Sequence, residues 1–107
     1  MAQARKRMPQ VHHIVPQNVF SGRSKQTQAQ IREMHQMLID AEINRFIDPI
    51  NLMLVSTGTH ATLHTDAYIE RVYSYLKTTD GSKEQIYRVL FLLRTEIAAQ
   101  DSYAIGY

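Results

Sequence analysis

The chain has 107 residues and a mass of 12.4 kDa, a size that holds one hydrophobic core and not two. With 44% hydrophobic and 21% charged residues it is not a disordered polymer. It has no Cys, which excludes a disulfide scaffold or a thiolate metal site, and no apolar run near the roughly 18 residues of a membrane span. The formal charge of +2 is unevenly spread: residues 1–32 carry Arg5, Lys6, Arg7, Arg23, Lys25 and Arg32 with no acid (+6), while residues 33–107 carry six bases and all ten acids (−4).

The basic start, MAQARKRMPQVHHIVPQ, is followed by no apolar stretch and is therefore not expected to be a signal peptide. Residues 1–10 read as a basic arm that attracts polyanions, because phosphate contacts dominate nucleic-acid affinity. VHHIV (Val11–Val15) is rich in β-branched residues and stops at Pro16, which predicts a short strand. SGRS (Ser21–Ser24) is turn chemistry. Thr27 with Gln30 has the form of a capping box opening a helix to about Glu42, with Ile31, Met34, Leu38 and Ile39 inward and His35 on the surface.

Asp48-Pro49 marks a break, and INLMLVS (Ile50–Ser56) reads as a buried strand that Asn51 enters. Thr57-Gly58-Thr59 then starts a second helix to about Lys77, with His60, His64, Tyr68, Val72, Tyr75 and Leu76 on one stripe. TTDGS (Thr78–Ser82) is a turn. Ser82 with Gln85 opens a final helix to about Ala99, with Ile86, Val89, Leu90, Leu93 and Ile97 on its apolar face and DSYAIGY as an irregular tail. The chain shows no repeat or low-complexity linker, so residues 1–107 read as a single domain.

Four of the five histidines fall in two pairs, His12-His13 and His60 with His64. A spacing of four on a helix sets two imidazoles on one face about a turn apart, where both can bind one cation. The bland reading is a pair of hydrogen-bonded core histidines on an apolar stripe. Adjacent strand residues point to opposite faces, so His12 and His13 can share a site only if the strand ends there, which Pro16 favours.

His12-His13-Ile14-Val15-Pro16, Asn51 in an apolar strand, and His60 and His64 opening a helix together resemble the HNH/endonuclease VII superfamily of ββα-metal (His-Me finger) nucleases. Within it the chain looks most like the AHH type found as toxin domains of bacterial polymorphic toxins, over about Val11 to Leu76, with Val11 in place of that type's Ala. The resemblance implies an α+β fold: two short antiparallel strands plus a helix over 11–77. An insertion of about Ser21–Ile47, helical over 24–42, would split it, and a supporting C-terminal helix over 82–99 would follow.

It further implies that His12, His60 and His64 bind one divalent metal, that His13 is the general base, and that Asn51 holds the His13 loop by a backbone hydrogen bond. Three nitrogen ligands favour Zn²⁺, Ni²⁺ or Cu²⁺ in raw affinity, so Zn²⁺ or Ni²⁺ is the expected bound ion, with Mg²⁺ or Mn²⁺ the alternative in catalysis. The expected activity is hydrolysis of DNA, with RNA as the alternative substrate, leaving a 5′-phosphate. Arg5, Lys6, Arg7, Arg23 and Lys25 are candidate phosphate contacts, which position a duplex without reading its sequence. A toxin domain implies an acidic immunity partner and action in the cytoplasm of a target cell, without membrane binding. Two other readings stand beside it. One is a non-catalytic zinc-stabilised binding module, closed by Asp66 or Glu70 as fourth ligand; the other is a helical interaction domain without metal.

Overall fold

The computed structural model describes residues 9–101. In order these form β1 (Pro9–His13), α1 (Lys25–Asp40), a 3₁₀ turn (Pro49–Asn51), β2 (Leu52–Ser56), α2 (Thr57–Thr62), α3 (Asp66–Lys77) and α4 (Lys83–Gln100). The architecture is α+β. β1 and β2 pair antiparallel, with Pro9 opposite Ser56 and His13 opposite Leu52, and β2 runs directly into α2. This is a ββα arrangement with α1 inserted between the strands and α4 added after it.

β1 ends at His13, short of the Val15 that the β-branched run suggested, because its partner begins only at Leu52. Upstream of Leu52 the Asp48 side chain accepts from Ile50 N (3.0 Å) and Pro49 starts the 3₁₀ turn. Asn51 therefore stands in the turn before β2 and not inside the strand. Ile14 N donates to Asn51 O (2.9 Å) just past the ladder, and Ile14 and Val15, released from strand alternation, are both wholly buried.

The N-cap of α1 is Ser24 and not Thr27; its hydroxyl accepts from Thr27 N at 3.1 Å. Ile31, Met34 and Leu38 are wholly buried as expected, but Ile39 is 56% exposed. The buried stripe runs through Thr27, Ile31, Met34, His35 and Leu38, and Ile39 lies a further 100° round from Leu38. His35, expected at the surface, is buried because its Nε2–H finds the Pro16 carbonyl at 2.6 Å.

The single helix expected over 57–77 is two. Leu63 closes α2, and Thr65 caps α3, its hydroxyl accepting from Tyr68 N at 3.1 Å with Asp66 in the first turn. His64 thus sits in the turn between them. α4 begins at the Ser82 cap and buries Ile86, Leu90, Leu93 and Ile97, as its pattern predicted; Val89 is half-buried. Asp101, the first residue of the expected irregular tail, follows the end of α4 without regular structure and is buried against the start of α2. Residues 102–107 and the arm residues Arg5, Lys6 and Arg7 lie outside the described residues.

α3 lies against α1 and α4, and the wholly buried Ile31, Met34, Leu38, Ile69, Val72, Leu76, Ile86 and Leu90 fill the shared core. Each such aliphatic side chain contributes about 1.5–3 kcal/mol by leaving water. Leu90→Ala is expected to cost about 2–5 kcal/mol in urea unfolding.

Burial holds the His35 imidazole below its ordinary value of 6.5, with Arg45 adding to the shift and the Pro16 carbonyl opposing it. As pH falls below about 6.5 the unfolded chain takes up a proton that the folded chain resists, so stability is full above that pH and declines below it. His35→Gln keeps a donor for Pro16 O and removes the titration. It is expected to flatten the loss of stability between pH 7.5 and 5.5, read by urea unfolding at both values; an unchanged slope would refute this role.

Candidate active site

The ββα unit brings the two histidine pairs together. His12 points from β1 into the interior (2% exposed), His60 rises from α2, and His64 stands on the turn that follows. Their ring centroids are 5.4 Å (His12–His60), 6.3 Å (His12–His64) and 4.6 Å (His60–His64) apart. These rings and His13 line one cleft of about 380 Å³, with Gln17 and Phe20 at its side.

Hydrogen bonds assign the tautomers. The Tyr68 hydroxyl donates to Ile14 O (2.8 Å), so it accepts from His12 Nε2–H (2.8 Å), and the His12 lone pair is at Nδ1. Gln10 Oε1 accepts from His60 Nδ1–H (2.7 Å), which leaves the His60 lone pair at Nε2. His64 Nε2 lies 3.1 Å from that atom.

Burial is the first cause that lowers the proton affinity of all three rings. His12 is brought to about 3, with the charges of His60, His64 and His13 adding to the effect. His60 is lowered further by His64 and His13, and His64 by Arg23. Burial also pushes the Tyr68 phenol up, so it stays a neutral hydrogen-bonding partner.

Neutral imidazoles whose outer nitrogens are already bonded, as those of His12 and His60 are, are what a divalent cation needs. Metal–nitrogen bonds of about 2.0–2.1 Å put neighbouring ligand nitrogens about 2.8–3.4 Å apart, and the two Nε2 atoms at 3.1 Å fall in that range. Among the described residues, no three His, Asp or Glu side chains stand in a finished coordination geometry. The His12, His60 and His64 donor set nevertheless suits a nitrogen-preferring ion, and two of its members already have the right separation.

His13, the next residue, turns the other way. Its Nε2–H donates to Phe46 O (3.2 Å), so the lone pair is at Nδ1, 2.9 Å from the Gln17 carboxamide nitrogen. That nitrogen also lies 2.7 Å from Nε2, against the ring edge between the two atoms. Because β1 stops at His13, the pair is split between a core-facing and a cleft-facing ring while both border one cavity.

Asn51 is wholly buried. Its Oδ1 accepts from Val15 N (2.7 Å), and its Nδ2 donates to Val15 O (3.0 Å) and Arg45 O (2.9 Å). It ties the segment after His13 to the turn before β2 and has no side-chain group directed at the cleft. Arg23, expected as a phosphate contact, instead has a side chain only 10% exposed; it donates to Asp66 (3.2 Å) and to His64 O (3.0 Å), bracing the His64 turn. Lys25 is exposed at the start of α1. Asp66 is engaged by Arg23.

Several residues of the site carry no motif signal: Tyr68 reads only as part of an apolar stripe, and Gln10 and Gln17 as ordinary polar positions. Asp101 follows the last apolar residue of α4 and reads as tail.

Among the described residues no helix is long and apolar enough to cross a membrane. No curated protein and no solved structure matches the chain. One protein family does, over residues 2–92, which include the whole histidine cluster: a nuclease family of the HNH/ENDO VII superfamily with a conserved AHH. His12 and His13 supply its two histidines behind Val11, and the ββα order of the chain agrees with such a fold. The chain belongs to this AHH nuclease family.

Proposed function

We propose that the chain is a metal-dependent endonuclease that hydrolyses DNA phosphodiester bonds with little sequence preference, acting as the toxin domain of a bacterial effector. The observation that carries this reading is the convergence of three neutral imidazoles beside a fourth whose Nδ1 lone pair, accepting from the Gln17 carboxamide, borders the same cleft. His12, through Nδ1, and His60 and His64, through Nε2, would hold one divalent ion; Zn²⁺ or Ni²⁺ suits the nitrogen set, with Mg²⁺ or Mn²⁺ as the alternative. When bound, that ion supplies Lewis-acid stabilisation of charge on the attacked phosphate and the departing 3′ oxygen.

The protein groups do the rest. His13 Nδ1 takes a proton from the attacking water, and Phe46 O, bonded to the opposite nitrogen, stabilises the imidazolium that results. Asn51 holds Val15, two residues on, so that the His13 ring keeps its place. Breaking the P–O3′ bond leaves a 5′-phosphate. No helix or ribbon of the described residues is set apart to read base edges, which supports low sequence preference, and Lys25 with the arm residues Arg5, Lys6 and Arg7 would contact backbone phosphates. RNA, with the same phosphodiester, is the alternative substrate. A toxin role entails an acidic immunity partner that covers the basic face. The engagement of Asp66 by Arg23 disfavours Asp66 as the fourth ligand of a closed structural site.

Supercoiled plasmid incubated with the protein and Mg²⁺, Mn²⁺, Zn²⁺ or Ni²⁺ should be nicked and linearised, and a chelator should stop the reaction. His13→Ala is expected to lower the rate by about 10²–10⁴-fold with metal content and DNA binding unchanged. His64→Ala is expected to lose bound metal, read by elemental analysis, together with cleavage. Cleavage that survives both chelator and His13→Ala would overturn the mechanism; bound metal without cleavage would favour the binding module.

A further inference from the structure

We propose that α4 is a positioning element of the active site: Tyr87, Arg94 and Asp101 form one polar stripe that grips both ends of β2, setting Asn51 and His60 separately. The three residues are spaced by seven, close to two helical turns, so they line up along one edge of the apolar face formed by Ile86, Leu90, Leu93 and Ile97. Each holds a different point of the same segment. Tyr87 OH donates to Asp48 Oδ2 (2.6 Å), the residue that caps the 3₁₀ turn carrying Asn51. Arg94 Nη2 donates to Pro49 O and Leu52 O, on either side of Asn51.

Asp101 accepts from Ser56 N (2.8 Å), Ser56 Oγ (2.8 Å) and Thr59 Oγ1 (3.0 Å), at the start of the helix that carries His60. Asp101 is 5% exposed, and its carboxylate sits where three amide or hydroxyl donors converge. Such a contact reaches beyond general packing: it fixes the first turn of α2, and His60 follows Thr59 directly. Arg94 and Asp101 both lie beyond residue 92, where the family match ends, so this part of the support belongs to the chain outside the matched region.

The two ends of β2 serve different halves of the site. Asn51, at the first end, holds the backbone after His13. His60, past the second end, belongs to the imidazole cluster. Loss of Arg94 should therefore disturb the His13 half, and loss of Asp101 the cluster.

The metal readout of this inference rests on the reading of the three imidazoles given above; the exchange readout does not. In the full chain, Asp101→Asn is expected to speed amide hydrogen exchange at Ser56, Thr59 and His60 and to leave Ile14 and Val15 as in the wild type. Arg94→Met is expected to do the reverse. Zn²⁺ titration by calorimetry should show about tenfold weaker binding for Asp101→Asn and wild-type binding for Arg94→Met. At saturating metal, Asp101→Asn should regain the wild-type cleavage rate, whereas Arg94→Met should not and Arg94→Lys should recover part of it. Should Asp101→Asn fail to fold, Thr59→Val deletes one of its bonds and carries the same expectation at smaller size. Uniform loss of protection in both variants, or equal loss of Zn²⁺ affinity, would reduce α4 to general support. A wild type that takes up no Zn²⁺ would sink the proposed function, and the exchange pattern would still decide the clamp.

Discussion

A two-stranded ribbon with five paired positions cannot hold its own shape in water, and His12, His13, Asn51 and His60 all hang from one. His12 is on β1, Asn51 stands just before β2, and His60 follows β2 by way of α2. The ribbon is therefore fastened from outside. The Asn51 carboxamide uses its oxygen and both directions of its nitrogen to join Val15, Arg45 and its own turn, in a place where an unbonded amide would cost about 1–3 kcal/mol. α4 fastens the same segment from the other side, and Tyr68 reaches in from α3 to pin the chain at Ile14.

Electrostatics follows from that packing. Bringing His12 into the interior makes its cationic form expensive, and placing two further imidazoles within 5.4 and 6.3 Å makes it more so. A cluster that is neutral at ordinary pH has lone pairs to offer, and the bonds to Tyr68 and Gln10 decide which nitrogens offer them. His13 faces the cleft and not the core because the strand stops under it, and its ring bonds to the loop at Phe46.

Much of this was legible in the sequence, and the reasons for success and failure are physical. The buried face of α4 and its Ser82 cap followed from spacing and cap chemistry, both local. The two histidine pairs, read with Asn51, pointed to the ββα order through their resemblance to the nuclease superfamily, while the periods themselves marked only where strands and helices lie. The break at Leu63–Thr65 was missed because the apolar stripe runs across it, while the competing signal was only a capping Thr followed by an Asp. His35 looked exposed because its neighbours are polar; what buried it was a carbonyl 19 positions earlier, which no local pattern records. Asp101 and Arg94 were invisible for the same reason, since their partners lie more than 40 positions away.

The break between α2 and α3 changes what controls His64. On an unbroken helix its ring would be held by the ladder of backbone bonds, which is indifferent to dissolved ions. On the turn it is held by Arg23, whose guanidinium is shared between the His64 carbonyl and an Asp66 side chain 58% exposed to water. A pair of that kind weakens as electrolyte accumulates around it. The ionic strength of the surroundings thus has a direct route to one of the three clustered rings, and none of comparable directness to His12, which is buried and held by the neutral Tyr68 hydroxyl.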